Sequence, residues 1–235
     1  MDKRTIIEQY FSDRLELGGQ EQLPFVALSR QAGAGGSSFA ETLIKVMAER
    51  SWNELFRSWK IFDRELCDLI SDDPKLKVLV KSLLTEEYHS EIQEFLTSVF
   101  GGPAHQYELY KKTFELVRTL AAIGKVIIVG RGAVFATMDM PAGVRVRLIA
   151  PESVRVKRMA ELLQIDKAKA RDVVRSRDRQ RSRMVFDFFN KDSNDPSSYD
   201  GVWDTSEQTM EEIAQEVLTL IEKKAGKKNT GKQGT

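Results

Sequence analysis

Residues 29–38 read SRQAGAGGSS, with Gly33, Gly35 and Gly36 directly ahead of Ser37 and Ser38. The apolar run Phe25–Leu28 precedes them and Phe39–Glu49 has helical spacing, so the glycines predict a strand–turn–helix junction. Such a junction aims unpaired backbone N–H groups and the positive end of a helix dipole at one point, which suits a bound phosphate. The phosphate-loop signature GxxxxGK[ST] wants Gly at 30, Lys at 36 and Ser or Thr at 37. This chain has Arg30, Gly36 and Ser37 in those places, so it keeps the anion cradle without the usual cation. The candidate phosphate-binding set is Arg30, Gly33, Ala34, Gly35, Gly36, Ser37 and Ser38. A plain tight turn is the competing reading of the same glycines.

Two further groups fall at the ends of apolar runs. Asp63 follows Lys60–Phe62, and Arg131 lies within Gly130–Arg131–Gly132 after Val126–Val129. Arginine is planar and permanently charged, so it grips phosphate bidentately; a surface salt bridge is its plainer role. Asp63 could hold a metal, a ribose hydroxyl or a nucleophile, or could simply cap a helix beginning at RELCDLI. The run RDVVRSRDRQRSR at 171–183 places Arg175, Arg179 and Arg183 on one helical face and Arg177 and Arg181 on another. Single-stranded RNA binding would want aromatic residues among these arginines, but Phe186, Phe188 and Phe189 come only afterwards. A lid that closes over polyphosphate fits the run better than a solvated charged face or an RNA patch.

The elements that must position these groups follow from the rest of the chain. Strands are expected at Phe25–Leu28, Lys60–Phe62, Val126–Val129, Val144–Ile149 and Gly201–Trp203, alternating with helical stretches. That order predicts an α/β fold with a parallel sheet, whose ligand edge lies at the carboxyl ends of the strands. Residues 1–22 read as a helical extension, with Ile6, Ile7, Tyr10, Phe11 and Leu15 near one face and available for self-association. A main domain is expected over 23–224. It carries a helical insert at about 72–124, made of one amphipathic segment over 76–100, a GGP break at 101–103 and a second helix over 107–123. A lid is expected at about 175–199, with a mobile loop at 190–200 and a helix from Ser206 to Lys224. Residues 225–235 read as a disordered basic tail.

Composition narrows the partners. The 235 residues carry a formal net charge of +1, so nucleic acid is not expected to bind through bulk charge. The one cysteine, Cys67, admits no intramolecular disulfide and suits a reducing compartment as a buried, inert thiol. No apolar run approaches the roughly 20 residues that span a bilayer, so no membrane role is expected. The first sixteen residues are charged throughout, unlike a secretory leader, and a cytoplasmic location is expected.

Taken in order, SRQAGAGG, FDREL, IIVGR and YDGVWDT resemble the motifs of the cytidylate kinase-like family, a divergent branch of the nucleoside monophosphate kinases in the P-loop superfamily. The resemblance runs from about Phe25 to Ile221. It implies a three-layer P-loop kinase fold with a five-stranded parallel sheet, a helical insert and an arginine-rich lid. It also implies ATP as phosphoryl donor, Mg2+, and a nucleoside monophosphate such as CMP as acceptor. Gly33, Gly35, Gly36 and Ser37 would cradle the donor phosphates, with Ser37 the candidate metal ligand. Arg131 and Asp63 would serve the acceptor, and Arg158, Arg179, Arg181 and Arg183 would be the catalytic arginines. The chain departs from the nucleoside monophosphate kinases at Gly36, where they have lysine, at Val129, where an acid usually precedes GR, and at Gln180, where the lid has aspartate. Phosphoryl transfer and nucleotide binding without turnover both remain open, with RNA binding the third reading.

Overall fold

The computed structural model describes residues 3–16, 23–76, 78, 86–100 and 108–226. Its strands are β1 Phe25–Arg30, β2 Lys60–Phe62, β3 Val126–Val129, β4 Gly143–Ile149 and β5 Gly201–Asp204. They form one five-stranded, all-parallel sheet in the order β2-β3-β1-β4-β5. The expected α/β fold is thus the one adopted. Each strand is short and mostly apolar because helices cover both faces, the pattern typical of parallel sheets.

One face is covered by α2 (Gly36–Glu49) and by the helix over Met210–Gly226, called α8 below. Phe39, Leu43 and Met47 meet Ile213, Val217 and Ile221 there, over Val26, Leu28 and Val146. The other face is covered by α1 (Lys3–Glu16), α3 (Arg64–Asp72) and α5 (Glu108–Ile123), and α4 (Glu86–Phe100) joins α5 in the insert. Two helices, α6 (Glu152–Leu163) and α7 (Lys167–Phe189), stand at the sheet's carboxyl edge. Left-handed Gln164 (φ 54°) ends α6, and Asp166 caps α7 by accepting from the Lys169 N–H at 2.9 Å. This is the break expected near Ile165–Asp166. No helix among the described residues is long and apolar enough to cross a membrane.

Several expectations shift on contact with the fold. Ile7, Tyr10 and Phe11 of α1 are fully buried in the same core as Phe62, and the Tyr10 hydroxyl donates to the Gly124 carbonyl at 2.6 Å. The face that could have served self-association is therefore used within the chain; the Leu15 side chain lies outside the described residues. The segment expected over 76–100 is helical as Glu86–Phe100, while residues 77 and 79–85 and the break at 101–103 lie outside the described set. The last helix begins at Met210, four residues later than expected. Thr209 and Glu212 form a reciprocal capping box, Thr209 N–H to Glu212 Oε2 at 2.9 Å and Glu212 N–H to Thr209 Oγ1 at 3.2 Å. That helix runs to Gly226, and the rest of the expected tail, 227–235, lies outside the described residues. The loop over 190–200 is pinned instead of free. Buried Ser193 meets the Ser182 hydroxyl at 2.9 Å, and its carbonyl accepts from the Tyr199 hydroxyl at 2.7 Å.

Candidate functional site

The chain leaves β1 for β2 on one side, returns through β3, and then crosses to β4 on the other. The carboxyl ends of β1, β3 and β4 thus surround the topological switch point where open α/β sheets bind ligands. Three of the groups singled out in the sequence, the glycine loop, Gly130–Gly132 and Asp63, lie at strand ends on this edge.

The glycine loop leaves β1 at Gln31 and enters α2 at Gly36. Gly33 (φ 81°) and Gly35 (φ 83°) hold left-handed conformations that side chains disfavour, and Gly35 caps α2 without a side-chain hydrogen bond. The amides of Gly33, Gly35, Gly36, Ser37 and Ser38 meet no acceptor among the described residues. They are the free donors that an anion would take. The Ala32 amide, by contrast, is occupied: it donates to Asp178 Oδ1 of α7 at 2.7 Å. Buried Arg155 of α6 completes a clamp, donating to Asp178 Oδ2 at 2.7 Å and to the Ala32 carbonyl at 3.1 Å. A Cβ on Gly33 would come within 2.6 Å of the Arg155 carbonyl oxygen, so this glycine is what lets α6 approach the loop.

Beside the loop lies a cavity of about 620 Å3. Six arginines line it, Arg30, Arg64, Arg131, Arg147, Arg177 and Arg181, and no aspartate or glutamate does. Tyr110, Phe114 and Phe135 form part of an apolar wall opposite. Burial, together with the fields of Arg181, Arg131 and Arg147, pulls Arg30 down to about 9, and Asp63 opposes the shift. Burial lowers Arg181 as well. Cations gathered this closely in partly buried surroundings are costly in the empty protein, and an anion between them lowers the cost.

The sequence candidates distribute as follows. Arg30, Arg131 and Arg181 meet at the cavity. Arg181 Nη1 donates to the Arg30 carbonyl at 3.1 Å, tying α7 to the end of β1. Arg131 has φ 56° between Gly130 (φ 80°) and Gly132 (φ 68°), a run of three left-handed residues. Backbone strain of this kind clusters at ligand sites. Its Nη2 reaches Asp68 and the Arg64 carbonyl, while its buried Nε meets no partner among the described residues. The Asp63 carboxylate accepts from the Leu66 N–H at 3.1 Å and so caps α3. Arg158 is bound to the turn after β5, donating to Thr205 Oγ1 and to the Thr205 carbonyl, each at 2.8 Å. Arg179 is exposed, Arg183 is 82% exposed and pairs with Asp187 at 3.4 Å, and neither lines the cavity.

Arg147 and Asp178 gained no role from the sequence, and Arg177 only that of one arginine in the run read as a lid. Arg147 is buried on β4 beside Ser29; it donates to Ser29 Oγ at 2.7 Å and to Asn194 Oδ1 at 3.0 Å. Its guanidinium stands 5.6 Å from the Tyr199 ring centroid. The signal was an arginine inside a strand that a parallel sheet should bury on both faces. For α7 the signal was the apolar stripe: buried Ala170, Val174 and Val185 share a face, and 177, 178 and 181 fall along it.

A protein-held Mg2+ does not fit these residues. Val129 stands where a carboxylate would be needed, no carboxylate lines the cavity, and no cluster of three His, Cys, Asp or Glu suits a metal among the described residues. Ser37 offers one exposed hydroxyl. No step is assigned to a resident ion.

The sheet order β2-β3-β1-β4-β5, the glycine loop after β1 and the helices at the carboxyl edge make this the P-loop kinase fold. An uncharacterized protein from Eubacterium ventriosum superposes with a TM-score of 0.64 at 17% identity, covering 86% of this chain and 99% of that one. A shikimate kinase from Bacteroides thetaiotaomicron gives a TM-score of 0.45 at 14% identity, covering 85% of this chain and 98% of that one. One from Acinetobacter baumannii in complex with shikimate gives 0.42 at 16%, covering 91% and 97%. No curated protein matches. A family model described as the cytidylate kinase-like family matches residues 25–207, which include the loop, the Gly130–Gly132 turn, α6, α7 and β5. The chain belongs to the cytidylate kinase-like family.

Proposed function

We propose that this protein is a phosphotransferase that moves the γ-phosphoryl group of ATP to a nucleoside monophosphate, with CMP the first acceptor to test. One observation carries the reading: a cavity lined by six arginines and no carboxylate opens beside a glycine loop with five free amides. The loop amides would receive the donor phosphates. The cavity would receive the acceptor, its phosphate toward Arg131 and its base toward the aromatic residues Tyr110, Phe114 and Phe135. The chemistry asked of the chain is positioning and charge neutralisation, which suits a site of fixed guanidiniums and backbone donors. Any Mg2+ would arrive on the ATP phosphates as part of the substrate.

A second reading, nucleotide binding without turnover, draws on the lack of a carboxylate lining the cavity and on the Asp178 carboxylate beside the loop being already bound to the Ala32 amide. One experiment separates the two. ADP formation is followed with MgATP and a panel of nucleoside monophosphates and small anionic acceptors, alongside melting temperature with ATP alone. Acceptor-dependent ADP production is the expected result. A rise in melting temperature with no ADP from any acceptor would establish the binding reading and end the catalytic one.

A further inference from the structure

Positions 30 and 36 touch across the glycine loop. A Cβ on Gly36 would stand 2.8 Å from Arg30 Cγ, 3.1 Å from Cδ and 3.2 Å from Nε. Further along, the guanidinium passes over Gly130, where a Cβ would collide with Nη1. The Arg30 side chain thus runs through space that two glycines leave open, from the end of β1 to the end of β3. Its guanidinium lines the cavity and meets no hydrogen-bond or ion-pair partner among the described residues. Its five N–H donors are therefore available to a ligand.

The phosphate-loop signature puts the small residue at the position of Arg30 and the cation at the position of Gly36. This chain has the reverse. We propose that the two positions have exchanged roles: Arg30 is the loop's phosphate-binding cation, and Gly36 is the gap through which its side chain reaches the donor phosphates. The exchange conserves one cation and one missing side chain across a contact that admits only one of the two side chains at a time. It rests on the phosphotransferase reading for its catalytic consequence. In that reaction the bond from the acceptor oxygen to the γ-phosphorus forms while the bond to the β,γ-bridging oxygen breaks. The electron pair leaves on ADP, and Arg30 neutralises the oxygens as charge builds there.

The test uses the full chain and inorganic tripolyphosphate as probe, titrated by calorimetry, with folding checked by circular dichroism. Arg30→Ala is expected to weaken binding at least tenfold, the effect of losing one charge-assisted donor. Gly36→Ala is expected to weaken it too, because the new methyl displaces Arg30. The exchange variant Arg30→Gly/Gly36→Lys is expected to return to within about threefold of the parent, an order-of-magnitude allowance for imperfect geometry. Binding unchanged in either single variant overturns the proposal, as does an exchange variant that folds but binds no better than Arg30→Ala. If the exchange variant does not fold, the two single variants decide. Tripolyphosphate binding needs no turnover, so a parent protein that binds the probe but transfers nothing removes the phosphotransferase reading and leaves the exchange standing.

Discussion

Arg147 shows at the level of one residue how stability and ligand binding oppose each other in this cavity. It is buried, its partners Ser29 and Asn194 are neutral, and its nearest ring is Tyr199. Replacing a buried charge by an apolar side chain of similar volume is often neutral or stabilising, because desolvation outweighs the gain from neutral partners. Arg147→Met is therefore expected to hold or raise the melting temperature of the ligand-free protein. The same change is expected to weaken nucleotide or tripolyphosphate binding by about 10- to 100-fold, equivalent to about 1.5–3 kcal/mol for a charge-assisted bond. Differential scanning fluorimetry with and without ligand checks both effects together. A lower melting temperature with unchanged ligand response would make Arg147 a structural residue. Cys67 shows the opposite environment: burial pushes its thiol up to about 12, in keeping with an inert side chain.

Between elements, the contact that matters most is α7 on the glycine loop. Asp178 joins the Ala32 amide to Arg155, and Arg181 reaches the carbonyl of Arg30, three residues before the loop's first left-handed glycine. Asp178→Asn would leave Arg155, 9% exposed at its side chain, without its counter-charge. With Asp178 itself 28% exposed, solvent screening keeps the expected cost at about 1–3 kcal/mol, below that of a fully buried pair. Amide hydrogen exchange should then speed up together in residues 31–36 and 175–183 while β1 and β3 stay protected. Unchanged exchange in those two segments would show that the clamp does not hold α7 on the loop. The strands and the break between α6 and α7 were legible in the sequence because apolar runs and turn residues act locally. The face that α7 presents was written in its apolar stripe but not in its arginines. Arginines at 175, 179 and 183 and at 177 and 181 have equal periodic claims, and the packing of Ala170 and Val174 in the small core with Val156 and Met159 decides between them. The start of α2 was read three residues late because Gly36, Ser37 and Ser38 are poor helix formers placed there by the loop.

For the molecule as a whole, the N-terminal helix belongs to the energetics of the core. Ile7, Tyr10 and Phe11 are fully buried, and the Tyr10 ring meets Phe62 edge-on at 5.2 Å. Burial of three such side chains contributes about 5–9 kcal/mol at ordinary transfer values. A chain lacking residues 1–22 is therefore expected to melt at least about 10 °C lower, or not to fold, given a few degrees per kcal/mol at this size. Thermal denaturation by circular dichroism reads this, and a melting temperature within about 2 °C of the parent, the effect of a change below 1 kcal/mol, would show that α1 contributes little to the core. By itself the sequence determined the α/β alternation, the glycine loop, the arginines able to meet an anion and the family they resemble, because these follow from residue type and short spacing. Only the tertiary structure decided which arginines converge. Arg30, Arg131, Arg147 and Arg181 come from β1, the end of β3, β4 and α7, and sheet order and helix packing bring them to one cavity. The same packing set Arg30, at the end of the strand that feeds the loop, against the space left by Gly36.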